Sequence, residues 1–227
     1  MDKNIPQPSK EEVEKYLKEW DELENYTAQE TALDKLFFKL CPKNEVFSDI
    51  LLKATTLNKF YSTNVYDVYN MAEHIHKLKD VDARLNDGDL TLVDDIRLVK
   101  IKNKDKEKEI NYFSFASKYC SHHNPKDFPI YDSYVDKVLR YFQKKDGFYE
   151  IEDKASFKNG LKDYKFFKDV LIRFQEKYEL KDVLAQFQKD HGMKNYDLKL
   201  LDRYLWLLGK EYFPKKFKNT KKENSEK

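Results

Sequence analysis

"NYFSFASKYCSHHNPKDFPIYDSYV", residues 111–135, is sparsely charged in a chain that is otherwise rich in charge. From Asn111 to Pro125 the only formal charge is Lys118, whereas 37% of all residues are Asp, Glu, Lys or Arg. On a helix, the neighbours of Lys118 one turn away are Ser114 and Phe115 behind it and Ser121 and His122 ahead. None is an acid. The spacing predicts a lysine held partly out of water and away from carboxylates, where desolvation favours the neutral, nucleophilic amine. It equally suits a lysine that snorkels past core residues Phe113, Ala116, Cys120 and His123. Further on, Pro129 imposes an extended approach, and Asp132 or Ser133 opens the next helix, with Asp136 at capping-box spacing from Ser133. A carboxylate at a helix start is fixed in orientation by backbone N–H groups, and it can steady a cation developing beside it.

Outward from this stretch the pattern is helical. Five glycines are too few for a fold built on many tight turns, and no strictly alternating apolar run of strand length stands out. Ser9 caps "KEEVEKYLKEWDEL", whose Val13, Leu17, Trp20 and Leu23 follow helical spacing. Helices are expected through "NYTAQETALDKLFFKL" up to Pro42, near 45–53, in "NVYDVYNMAEHIHKL", briefly at 80–86 and across "DLTLVDDIRLVKI". "KNKDKEKE" reads as a charged loop, 110–123 as helix and 125–131 as a proline-bounded connection. "DSYVDKVLRYFQKK", "FKNGLKDYKFFKDVLIRFQEKY", "KDVLAQFQKDH" and "NYDLKLLDRYLWLLGKEYF" complete an all-α reading, the last with Trp206 packed in the core. No repeat of solenoid length is visible.

At 227 residues, 40% of them apolar and including 16 Tyr and 16 Phe, the chain can bury one substantial core. One α-helical domain is expected over 1–213, with a basic tail at 214–227. That tail, "PKKFKNTKKENSEK", carries +4 and leaves the preceding body at −2. It reads as a solvated terminus or as a weak phosphate-seeking arm. No stretch has the apolar length of a signal peptide or a membrane span, so a cytoplasmic location without membrane contact is expected. Cys41 and Cys120 cannot form a framework of bridges and read as reduced core thiols. His74 and His76 diverge on a helix, and Cys120, His122 and His123 lack ligand spacing, so neither metal nor cofactor is expected. The absence of GxGxxG, GxxxxGK[ST] and GxSxG argues against nucleotide hydrolysis and serine hydrolase chemistry.

"FSFASKYC" followed by "FPIYDSYV" resembles the helix-hairpin-helix DNA glycosylases, most closely their 8-oxoguanine glycosylase-like branch. The resemblance covers residues 113–135, with a weaker helical match over "SDILLKATTLNKFYSTNVYDVYNMAEHI". It implies an all-α, multi-helix DNA glycosylase-like domain that flips a damaged base from DNA, attacks the sugar with a lysine amine and can cleave the strand as a lyase. On it, Lys118 matches the Schiff-base lysine and Asp132 the catalytic aspartate. Ser117, the partner of Lys118 in the dipeptide, and His122 become candidates for substrate contact. The hairpin is divergent: where the family has Gly-x-Gly, this chain reads "NYFSFAS", with no glycine between Gly88 and Gly147. Two function classes stay open, a lyase-type DNA glycosylase and a non-catalytic nucleic-acid or protein binding module on the same fold.

Overall fold

At five of its helices a side chain that satisfies the first N–H groups fixes where the helix begins. In the computed structural model, which describes residues 4–103, 106–194 and 196–214, Ser9 accepts from the Glu12 amide, Asp67 from Asn70, Asp132 from Tyr134, Asp153 from Ala155 and Ser156, and Asp163 from Phe166. The helices are α1 Lys10–Glu22, α2 Glu24–Lys35, α3 Phe47–Tyr61, α4 Val68–Lys77, α5 Val81–Asn86 and α6 Thr91–Arg97. After them come α7 Phe113–His123, α8 Ser133–Asp146, α9 Lys154–Gly160, α10 Tyr164–Lys177, α11 Lys181–Asp190 and α12 Asp197–Tyr212. A π-helical turn, Leu36–Leu40, closes α2. The expected all-α architecture is what the chain adopts. The basic tail lies outside the described residues from 215 onward.

One segment departs from the sequence reading. The helix expected across 89–101 stops at Arg97, and the charged loop is the far half of a β-hairpin: β1 Leu98–Asn103 pairs antiparallel with β2 Lys106–Asn111, Val99 opposite Ile110 and Ile101 opposite Lys108. The physical reason is an alternation hidden by lysines. Val99 is buried and Ile101 and Ile110 pack on the core, while Lys100 and Glu109 stand opposite each other in solvent. The hairpin thus fills the interval between α6 and α7, and the stretch "NYFSFAS" that stands where the family has Gly-x-Gly lies mostly inside α7.

Helix α7 runs through the interior. Nine of its eleven residues are buried, from Phe113 to His122 with only Ser114 excepted. Its C-terminal end is fastened by a buried polar network: Lys53 Nζ donates to the Lys43 carbonyl at 2.8 Å and to Asn44 Oδ1 at 2.7 Å, and lies 3.1 Å from His123 Nε2. Burial, and then the Lys53 charge, hold His123 well below its ordinary value, so its ring is neutral and accepts from the lysine. Cys41 and Cys120 are free, buried thiols. Buried residues from Ile5 to Leu208 form one continuous core, and among the described residues no helix is long and apolar enough to cross a membrane.

Helices α8 and α12 cross at Gly209, where a β-carbon would stand 2.6 Å from Tyr134 Cβ and 2.9 Å from the Tyr134 carbonyl oxygen. Only glycine permits that approach. Gly209→Ala is expected to force the helices apart at a cost of about 1–3 kcal/mol, lowering the thermal midpoint by roughly 2–4 °C per kcal/mol. A calorimetric midpoint unchanged from wild type would show that the crossing is not set by this contact.

Candidate active site

The Lys118 side chain is 2% exposed, so its N–H donors must be met by protein groups. Nζ donates to Ser114 Oγ at 2.8 Å, one turn back on α7, and to the Tyr131 carbonyl at 3.0 Å. Asp132 Oδ2 lies 3.6 Å away, and the face of Tyr61 is 5.3 Å from the ammonium. The expectation of a lysine kept apart from carboxylates is therefore corrected. Acids are missing from its own helix, but the chain returns after Pro129 and supplies one. Asp132 divides its oxygens: Oδ1 caps α8 by accepting from the Tyr134 amide at 2.8 Å, while Oδ2 faces Lys118. A helix cap thus aims the carboxylate at the amine.

Lys118 and Asp132 share the wall of a pocket of about 310 Å³. Tyr61 closes α3 beside them, Tyr134 stands on the first turn of α8, and α12 supplies Asp202 and Trp206. The lining also holds an ionic cluster. Glu30 of α2 meets Lys199 at 3.0 Å and Arg203 at 2.6 Å, and Asp34 lies 3.7 Å from Lys199. Burial pushes the Glu30 carboxyl up, but Lys199 and Arg203 outweigh it and hold it below the usual range. Burial likewise opposes the Lys199 ammonium, while Glu30 and Asp34 prevail and raise it. Asp202 is treated differently. Burial, opposed by the Lys118 charge and reinforced by Asp132 and Glu30, pushes its carboxyl up to about 8, and the buried Oδ1 has no hydrogen-bond partner among the described residues. The raised Asp202 carboxyl thus stands in the same pocket as the Lys118–Asp132 ion pair.

The other two candidates sit behind the wall rather than on it. Ser117 is buried, its Oγ donating to the Ser114 carbonyl at 3.2 Å and accepting from the Tyr131 amide at 3.0 Å. That bond fixes the strand that delivers Asp132. His122 is also buried, 2.9 Å from the Tyr61 hydroxyl, and burial with the charges of Lys199 and Lys118 holds it well below its ordinary value. It backs the pocket through Tyr61.

Lys199, Asp202, Arg203, Trp206 and Lys210 all line the pocket, and sequence reading took their helix for plain core. Their spacing was the signal: steps of three, four, seven and eleven from Lys199 put charges and a tryptophan on one stripe of an otherwise leucine-rich helix. Trp206, expected in the core, is half-buried at the pocket wall.

The profile of the HI_0787_N family, an N-terminal domain, matches residues 12–127, a range that contains Lys118 and ends just before Asp132. An uncharacterised protein of Haemophilus influenzae is 46% identical over 159 residues, which is 70% of this chain. The alignment spans 65% of the length of that relative. No solved structure matches the chain.

Asp202 makes stability depend on pH. Its folded value of about 8 lies above the unfolded one, about 3.9. The stability tied to it is therefore complete below about pH 4 and is lost as pH rises toward and through 8. Asp202→Asn removes that loss. The variant's gain in thermal midpoint over wild type is expected to grow from about pH 5 to pH 8 and level off above 9; a difference flat across the range would contradict the raised carboxyl.

Proposed function

The chain belongs to the HI_0787_N family, and from the geometry of its pocket we propose that it is a DNA glycosylase with lyase-type chemistry, acting on damaged or modified bases through Lys118. The observation that carries this reading is the approach of the Lys118 amine to Asp132 Oδ2, 3.6 Å, on the wall of a pocket of about 310 Å³ with aromatic sides. Such a space suits a planar base swung out of a helix, stacked on rings and read at its edges. The resemblance of "FSFASKYC" and "FPIYDSYV" to the 8-oxoguanine glycosylase-like branch supports the same assignment of roles.

In this reading the ammonium first gives its proton to solvent, so that Asp132 stays ionised beside the freed amine. The freed amine attacks C1′ of the target nucleotide, the C1′–N bond breaks, and its electron pair leaves with the base. Asp132 lies where it stabilises the positive charge that grows on the sugar. Asp202, protonated up to about pH 8, is placed on the same wall to supply a proton to the departing base. The C1′–O4′ bond then breaks, O4′ takes the proton released by the attacking nitrogen, and the opened sugar is held as a Schiff base on Lys118, from which strand cleavage follows by β-elimination.

A Schiff base is captured by borohydride, so wild type is expected to become covalently joined to DNA carrying an abasic site or 8-oxoguanine. Lys118→Gln is expected to form no adduct. Asp132→Asn keeps a residue able to cap α8 and is expected to slow base release by about 10²-fold or more. If wild type yields no adduct with oxidised, alkylated or abasic DNA, or if Lys118→Gln is captured equally well, the reading fails and a binding module on this fold takes its place.

A further inference from the structure

With no glycine between Gly88 and Gly147, the link between α6 and α7 lacks the bare backbone that lets amides close on a phosphate. A nucleic-acid strand entering the pocket has to be held elsewhere. At the pocket mouth, rings and ammonium groups alternate. Lys137 Nζ stands 5.4 Å from the Tyr134 ring, Tyr134 meets Trp206 edge-on at 6.0 Å, and Trp206 meets Tyr26 at 5.1 Å. Lys210 Nζ lies 4.9 Å from both Tyr26 and Trp206 and donates to the Tyr26 hydroxyl at 3.3 Å. Tyr26, Tyr134, Trp206 and Lys210 all line the pocket.

Three of the nearby acids are already engaged. Asp136 holds Arg140 at 2.6 Å, Glu30 holds Lys199 and Arg203, and Asp132 faces Lys118. Lys137 and Lys210 instead rest against rings, held there by the attraction of an ammonium to an aromatic face. This keeps an ammonium extended at a chosen place without neutralising it. Aromatic faces alternating with cations along one edge form the arrangement that stacks bases and tracks a phosphate backbone.

We propose that this rim grips the sugar-phosphate backbone, Lys137 and Lys210 each meeting one phosphate flanking the nucleotide whose base enters the pocket. The proposal rests on the glycosylase reading for the identity of the strand as DNA. It relocates phosphate binding from the hairpin to the junction of α8 and α12, so that the two helices meeting at Gly209 carry both the pocket wall and its anchorage.

The test is the salt dependence of binding to duplex DNA containing a tetrahydrofuran abasic analogue, read by fluorescence anisotropy. Each phosphate contact contributes about 0.9 to the slope of log affinity against log salt. The double variant Lys137→Gln/Lys210→Gln is expected to lose about 1.8 of that slope, Lys137→Arg/Lys210→Arg to retain it, and Lys177→Gln, on the exposed side of α10, to leave it unchanged. Borohydride capture by wild type is measured in parallel. An unchanged slope in a protein that captures abasic DNA overturns the rim and leaves the lysine chemistry standing. A reduced slope in a protein that captures nothing supports the rim and removes the lyase reading. Absence of DNA binding at low salt overturns both.

Discussion

A buried ammonium imposes more on its surroundings than any apolar side chain, because its charge and its three donors must all be met by the protein. Lys118 states that requirement at the centre of this fold. Ser114 answers from the same helix, and the Tyr131 carbonyl and Asp132, thirteen and fourteen residues on, answer from the next segment. The connection from 125 to 131 must therefore fold back along α7. Ser117 secures the Tyr131 amide, the Tyr164 hydroxyl donates to the Pro129 carbonyl at 2.7 Å, and the Tyr131 ring lies 4.5 Å from Phe113 and 5.3 Å from Phe167. One lysine thereby sets how α7, α8 and α10 meet.

The pocket's charges follow from the same constraint. Two ionic clusters line it, Lys118 with Asp132 and Glu30 with Lys199 and Arg203. Each burial is costly by itself, and apolar replacements of similar volume would serve stability at least as well. Asp202 stands between the two cations of its own helix, yet both are drawn toward Glu30, and its carboxyl is left to hold a proton. The Lys53 cluster at the other end of α7 offers a contrast. There burial, opposed by Asp82, pushes the ammonium down to about 8, but Lys53 is fully covered and His123 and Asn44 occupy it.

Much of this was legible in the sequence because local signals agreed with the tertiary result. Ser9 and Asp132 sit where helices begin, and the uncharged run around Lys118 marks the helix that fills the interior; the pattern over 157–178, read as one helix, is instead broken after Gly160 and restarted by the Asp163 cap. The hairpin was obscured because its inward positions, Val99, Ile101 and Ile110, are separated by lysines and glutamates, and because helical spacing in "LVDDIRLV" continues across its start. Asp132 was found from its cap position, but that its second oxygen reaches Lys118 depends on how far the connection doubles back, which no spacing encodes. Glu30, Asp202 and Arg203 were missed because a helix-by-helix reading has no account of charges that are satisfied only between helices.

The π-helical turn at the end of α2 bears on how this chain tolerates change in length. There the Cys41 amide donates at 2.8 Å to the Leu36 carbonyl five residues earlier, so the turn holds one residue more than an α-helix would. Losing one residue from Leu36–Leu40 would let ordinary helical bonding re-form, leaving the helix itself unharmed. Because the surplus residue is absorbed within the turn, the chain beyond it would keep roughly its phase relative to α2. Asn44, which takes the Lys53 ammonium and the Tyr119 hydroxyl on one oxygen and reaches Asp82 through its amide, would stay near its place, and Tyr26, Gln29, Glu30 and Leu33 would keep theirs on the pocket. Loss of a residue from inside α2 would instead rotate all that follows by about 100°. The turn is thus where this stretch absorbs a change of length, while Leu36 and Phe37, both buried in the core, hold their identities.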